Sequence, residues 1–349
     1  QGFPDFQAEP ALFDAMDRHM RAGRNQYAPM AGMPELRQAI VDKVAALYGT
    51  RFDFESEVTV TAGATQAIFT AIAAFVRPGD EVIVFEPVYD SYVPAIETVG
   101  GKAVYAQLQF PDYAPDWAQV ATLITPKTRM IIVNSPHNPT GSLLTAVDLE
   151  KLAELVRGTD IVVLSDEVYE HILFDGERHA SVCGHAELAP RSIVVSSFGK
   201  TYHITGWKIG YVVGPAALMA EFRKVHQFNV FTVHTPSQLA LADYMQDASR
   251  HLGLAAFYQE KRDFFRNLMA ATPFELLPCR GTYFQLARYK AISDQPDCAF
   301  AEWMTREVGV AVIPVSVFYA DGRDDRVVRF CFAKKEETLV AAGERLRRL

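Results

Sequence analysis

The chain has 349 residues, 49% hydrophobic and 22% charged, with a formal net charge of −8. That balance describes an ordinary globular protein, argues against nucleic acid as a partner, and leaves no apolar run long enough to span a bilayer. Four scattered cysteines (Cys183, Cys279, Cys298, Cys331) make neither a disulfide framework nor a metal-ligand spacing. With no secretion signal in the opening residues, a reducing cytoplasm is the expected compartment.

Residues 34–48 (PELRQAIVDKVAALY) read as an amphipathic helix, with Pro34 at its start and Gly49 past its end. An alternation follows: a β-rich run at Val58–Val60, a helix at Gln66–Val76, a strand at Glu81–Phe85 and a helix from Asp90 onward. Next come a strand at Met130–Val133, a helix at Asp148–Arg157, and strands at Asp160–Leu164, Ser192–Val195 and Tyr211–Val213. Short β runs that are apolar throughout imply a sheet covered on both faces, hence an open, mostly parallel α/β sheet. The tail differs. A long amphipathic helix over 255–270 precedes short strands near Tyr283–Leu286 and Val327–Phe330, which suggests a second, smaller α+β domain.

Ligands of such sheets sit beyond the carboxyl ends of the strands, so the residues just after each strand belong together. After Val60 come Thr61, Ala62, Gly63, Ala64 and Thr65; small residues admit an anion to the backbone N–H groups, although such a turn also needs glycine for conformation alone. After Phe85 comes Tyr89, a flat face for stacking or a half-buried packing residue. After Val133 comes the loop NSPHNPTG, with Asn134 and Asn138. Asp166 follows Leu164 closely and reads either as an exposed helix N-cap or as the partner of a cationic ring nitrogen. After Val195 comes SSFGK, ending in Lys200; a lysine desolvated in a pocket becomes a usable amine nucleophile or base. One cofactor uses this whole set: pyridoxal 5′-phosphate. It takes a lysine for a Schiff base, an acid at the pyridine nitrogen, a cup for its phosphate and a face to stack on.

The motifs NSPHNPTG, SDEVYEHI, SSFGKTYHITGWKIGY and VVRFCFAKKEETL, in this order, resemble the class I, fold type I aminotransferases. The resemblance covers essentially the whole chain and is strongest toward the branch that holds bacterial methionine and kynurenine aminotransferases. It implies a large domain over 25–250 with a mostly parallel seven-stranded sheet, and a small domain over 1–24 and 251–349. It implies that Lys200 is the Schiff-base lysine and that Asp166 keeps the pyridine nitrogen protonated. Tyr169 and Asn138 then hydrogen-bond the ring oxygen, Tyr89 stacks on the ring and Asn134 lies near it. Gly63, Ala64 and Thr65 form the phosphate cup, with Ser197 and Lys208 as side-chain ligands. The wider family carries an arginine at the position of Lys208. Tyr27 reaches the phosphate of a neighbouring subunit, and His234 lines the neighbour's site, so a homodimer with shared sites is expected. Arg329 grips the substrate carboxylate as a guanidinium fork, helped by Asn138, and the backbone at Gly2 closes over it.

The expected reaction is a ping-pong transamination between an amino acid and a 2-oxo acid, with Lys200 carrying the proton from Cα. No second arginine is evident for a dicarboxylate side chain, and 23 Phe and 14 Tyr are available to line a pocket. Methionine and aromatic amino acids are therefore favoured, with histidine a further donor. Three rivals stand beside this reading: a carbon–sulfur β-lyase on the same scaffold, a nicotinamide dehydrogenase and a non-catalytic sensor module. The dehydrogenase lacks its G-x-G-x-x-G, and the sensor lacks a basic DNA-binding segment.

Overall fold

The computed structural model describes residues 2–349. Eight strands form the large sheet: β1 (Val58–Thr61), β2 (Glu81–Glu86), β3 (Lys102–Gln109), β4 (Ala114–Pro115), β5 (Thr128–Asn134), β6 (Val162–Asp166), β7 (Ser192–Ser197) and β8 (Gly210–Val213). Their order is β1-β8-β7-β6-β5-β2-β3-β4. β7, β6, β5, β2 and β3 run parallel, whereas β8 is antiparallel to both of its neighbours. Seven of the eight are full strands, as expected; the eighth, β4, is a two-residue edge pairing antiparallel with β3.

Successive residues of the central strands feed two different cores. Ile83, Ile131, Val133, Val163 and Val194 pack with Leu36, Ile40, Leu149, Leu152 and Ala240 on one face. Val82, Val84, Met130, Ile132, Leu164 and Ile193 pack with Ile68, Ile72, Ile96 and Phe222 on the other. That double covering is why the strands read as apolar throughout. A second sheet, in the order β11-β12-β10-β9, joins β9 (Glu275–Leu276), β10 (Phe284–Arg288), β11 (Ile313–Pro314) and β12 (Val327–Cys331), all antiparallel. Its core is aromatic: Phe265, Phe300, Phe330 and Phe332 are all buried. The helix Pro10–Arg21 places Leu12 and Ala15 among the large-sheet core, while residues before it dock on the small sheet, where the Asp5 N–H donates to the Ala333 carbonyl at 3.3 Å. No helix among the described residues is long and apolar enough to cross a membrane.

The helix over 34–48 forms with those bounds, Gly49 ending it at φ 78°. The helix expected from Gln66 instead begins at Gly63, whose φ of 79° lets the chain turn sharply out of β1. The Gln66 side chain accepts the Ala62 N–H at 2.9 Å, capping that entry. So the small-residue turn is itself the first turn of the helix.

Beneath the strand ends lies a buried ion pair. Lys43 Nζ donates to Glu170 Oε1 at 2.6 Å, with side-chain exposures of 6% and 3%. Glu170 also accepts from Tyr48 at 2.6 Å, Ser196 at 2.7 Å and Tyr211 at 3.1 Å. The network ties the helix Pro34–Tyr48, the loop after β6, and strands β7 and β8 into one block. Burial pushes the Glu170 carboxyl up, but the Lys43 ammonium, with the hydrogen bonds from Lys43 and Tyr48, outweighs it and holds the group well below the usual range. Stability from this pair is therefore present at neutral pH and lost as pH falls through that lowered value. Lys43→Met, which strands the carboxylate, is expected to cost about 3–5 kcal/mol in urea unfolding of the cofactor-free protein. The deficit should be larger in mildly alkaline than in mildly acidic buffer, because acid neutralises the orphaned group.

Candidate active site

Three strand ends converge on one turn. Thr61 of β1 and Ser197 of β7 both pair with Gly210 of β8. A Cβ on Gly210 would lie 2.6 Å from the Ser196 carbonyl oxygen and 3.1 Å from the backbone of Gly63, so only glycine lets these segments come together. The helix beginning at Gly63 then presents the unpaired N–H groups of its first turn, at the positive end of its dipole. Lys208 holds a left-handed φ of 55°, and its Nζ lies 3.5 Å from where a Gly63 Cβ would be. Gly63, Ala64, Thr65, Ser197, Thr205 and Lys208 thus line one end of a cavity of about 770 Å³, an end suited to an anion.

Asp166 closes β6 beside Asn134, its register partner at the end of β5. Its residue is 3% exposed, which removes the exposed N-cap alternative. Tyr92 donates to its Oδ2 at 2.6 Å and the Val168 N–H to its Oδ1 at 3.3 Å. Burial raises the carboxyl to about 6, against the lowering effect of those two donors and the Lys200 charge. Asn134 braces the loop: its Nδ2 donates to the Asp166 carbonyl at 2.9 Å, and its Oδ1 accepts the Asn138 N–H at 2.8 Å. Both ends of that amide are engaged within the protein.

Lys200 sits one turn past Ser197, and its Nζ donates to Tyr283 Oη at 3.1 Å. Burial lowers its amine below the ordinary lysine value; Cys331 and Asp166 oppose that shift, while Lys208 and Arg329 reinforce it. The Tyr169 ring centroid is 5.8 Å from that nitrogen, and Tyr169 meets Tyr283 edge-on at 5.3 Å. Arg329, on β12, comes from the small sheet. Its Nη1 donates to Asn138 Oδ1 at 2.5 Å, and its guanidinium lies 4.0 Å over the Phe284 ring. Gly2 reaches the cavity from the N-terminal segment; a Cβ there would fall 2.3 Å from the Phe284 ring. Tyr89 lines the cavity edge-on to Tyr92, with centroids 5.4 Å apart.

Of the residues named from sequence, all but two border this cavity. Tyr27 is 83% exposed, its ring edge-on to Phe231 at 5.5 Å. His234 lies at the start of the helix Thr235–Tyr244, where its Nδ1 contacts Ser237 Oγ at 2.8 Å. The sequence reading missed Tyr92 and Tyr283, which bond Asp166 and Lys200 from behind the cavity wall, and the apolar wall of Phe284, Ile313, Val317 and Phe318. Tyr92 heads the helix Tyr92–Thr98, and its N–H donates at 3.2 Å to the carbonyl of Tyr89 in the loop that leads into it.

Among the described residues, Asp166, Lys200, Lys208 and Arg329 form no salt bridge, though all four face one cavity. Groups of mixed charge held there without counter-ions call for a ligand that is anionic at one end, cationic near Asp166 and met by a carboxylate at Arg329. This is the layout of a fold type I transferase. The chain belongs to the aminotransferase class I and II family, whose model matches residues 2–346. It is 51% identical over 350 residues to a methionine aminotransferase of Escherichia coli strain K12, covering 100% of this chain and 91% of that protein. It is 33% identical to human kynurenine–oxoglutarate transaminase 1, over 100% of this chain and 91% of the other. A solved Escherichia coli structure with an ascribed methionine aminotransferase function superposes with a TM-score of 0.98 at 50% identity, covering 100% of this chain and 93% of that one.

The raised Asp166 carboxyl has a measurable consequence. A folded pKa of about 6 against 3.8 means that stability is full at low pH and is lost as pH rises toward 6. Asp166→Asn is expected to raise the urea-unfolding free energy of the cofactor-free protein at about pH 8 by up to roughly 3 kcal/mol, and to change it little at about pH 4. The same variant should lose transamination.

Proposed function

We propose that the chain is a pyridoxal 5′-phosphate-dependent aminotransferase that moves the amino group of methionine, and of aromatic amino acids or histidine, to a 2-oxo acid by a ping-pong route. The observation that carries this reading is the set of unpaired charged groups around one cavity. An anion end, a buried acid and a buried amine match the phosphate, the ring nitrogen and the aldehyde carbon of that cofactor, and Arg329 is left for a carboxylate. Gly63, Ala64, Thr65, Ser197 and Lys208 would hold the phosphate. Asp166 would hold the proton on the ring nitrogen, Tyr169 and Asn138 would face the ring oxygen, Asn134 would brace the loop beside it, and Tyr89 would stack on the ring. Bound there, the cofactor supplies an electron sink for the carbanion left when the Cα proton departs.

The protein's own groups do the rest. Arg329 and Asn138 fix the substrate carboxylate, which sets the orientation of Cα. Burial disfavours the charged form of Lys200, and in this reading its amine takes the Cα proton and returns it to the neighbouring carbon. Phe284, Ile313, Val317 and Phe318 offer an apolar wall to the side chain. That wall carries no second arginine, which suits methionine better than aspartate. The exposed Tyr27, next to Phe231, fits a residue that serves the phosphate site of a second copy, with His234 nearby, in a homodimer. A cytoplasmic location belongs to the same reading.

An absorbance spectrum of the loaded protein tests the proposal. Methionine should shift the cofactor band, and aspartate should do so far less. Lys200→Ala should lower turnover by at least about a thousandfold with the fold retained. Wild-type turnover by that variant would overturn the assignment. Pyruvate released from a cysteine conjugate without an acceptor would favour the β-lyase instead.

A further inference from the structure

Tyr283 stands between the Lys200 amine and the N-terminal segment. Its ring is fully buried. Its oxygen accepts from Lys200 Nζ at 3.1 Å and donates to the Gly2 carbonyl at 3.0 Å. A phenol has one hydrogen to give. The Tyr169 hydroxyl also lies near that of Tyr283, but the hydrogen bond that the Tyr283 hydroxyl donates runs to the Gly2 carbonyl. With its hydrogen committed to Gly2, Tyr283 can only accept from the amine. A neutral amine bound through an N–H keeps its lone pair free. If the Gly2 carbonyl withdraws, the Tyr283 proton can turn onto that lone pair and occupy it.

The segment that carries Gly2 is latched to the small sheet. Lys334 Nζ donates to the Phe3 carbonyl at 2.8 Å. The Asp5 carboxylate accepts the Lys335 N–H at 2.7 Å and the Thr338 hydroxyl at 3.2 Å. Phe6 packs edge-on against Phe257, with centroids 5.3 Å apart. Only a glycine brings the carbonyl to Tyr283, because a Cβ at position 2 would overlap the Phe284 ring.

We infer that docking of residues 2–6 switches the Lys200 base on: the Gly2 carbonyl takes the Tyr283 proton, and Tyr283 then holds the amine with its lone pair toward the cavity. Tyr283 is thus a positioning residue acting through Lys200, and the Asp5 latch sets its state. The inference rests on the role of Lys200 in the proposed function.

The test is a double-mutant cycle in the full chain, with Asp5→Ala and Tyr283→Phe, read in the half-reaction with methionine and with methionine deuterated at Cα. Releasing the latch while Tyr283 is present should slow proton transfer about tenfold and raise the isotope effect. In the Tyr283→Phe background nothing remains to mask the amine, so Asp5→Ala should cost less than about twofold. A second readout needs no turnover: the pH dependence of pyridoxal phosphate capture by the cofactor-free protein, followed by absorbance. Tyr283→Phe removes an acceptor from the charged amine, so the capture midpoint should fall by about one pH unit. Asp166, Cys331, Lys208 and Arg329 also face the amine and are unchanged in both variants. Equal costs of Asp5→Ala in both backgrounds, or an unmoved capture midpoint, would overturn the inference. Failure of the unaltered protein to capture pyridoxal phosphate at all would instead overturn the functional reading beneath it.

Discussion

The structure turns on a carboxylate kept out of water. Asp166 ends a strand that is buried along its whole length, and its neighbours supply hydroxyl and amide hydrogens but no ion-pair partner. Desolvation therefore dominates its energetics, and the group waits for a cation. A preformed acid with no partner is a cost to the fold, and the packed sheet beneath bears it. The Lys43–Glu170 pair and the Asn134 clamp tie the surrounding loops to the sheet.

The two sheets divide the work. The large one fixes the groups that would meet the cofactor, since Asn134, Asp166 and Ser197 sit at strand ends set by backbone register and Gly63 opens the helix just after β1. The small one brings Arg329 and the apolar wall from another body of the fold, and Gly2 arrives on a latched segment. Groups that must be rigid are thus built on the central sheet. Groups that meet a variable side chain, or that report closure, come from its partner.

Much of this was legible in the sequence, for physical reasons. β1, β2 and β5–β8 stood out because burial on both faces demands unbroken apolar runs, and the site residues followed because ligands gather where such strands end. β3 was missed: KAVYAQLQ mixes polar and apolar residues, and its flank is closed only by the two-residue β4. The helix start at Gly63 was placed late because its first turn is made of small residues with no apolar period. Tyr92 and Tyr283 carry no local pattern at all; what they do depends on groups 74 and 83 positions away, Asp166 and Lys200. The wall of Ile313, Val317 and Phe318 lies on segments whose side of the cavity only the tertiary fold decides.

The most direct measurement is nitrogen-15 NMR of the ring nitrogen of labelled pyridoxal phosphate bound to the protein in mildly alkaline buffer. A buried acid whose charge awaits a cation should keep that nitrogen protonated well above the pH at which it titrates in water. A protonated signal in the unaltered protein, lost in Asp166→Asn, is the expected result. A neutral ring nitrogen opposite an intact Asp166 would contradict the account.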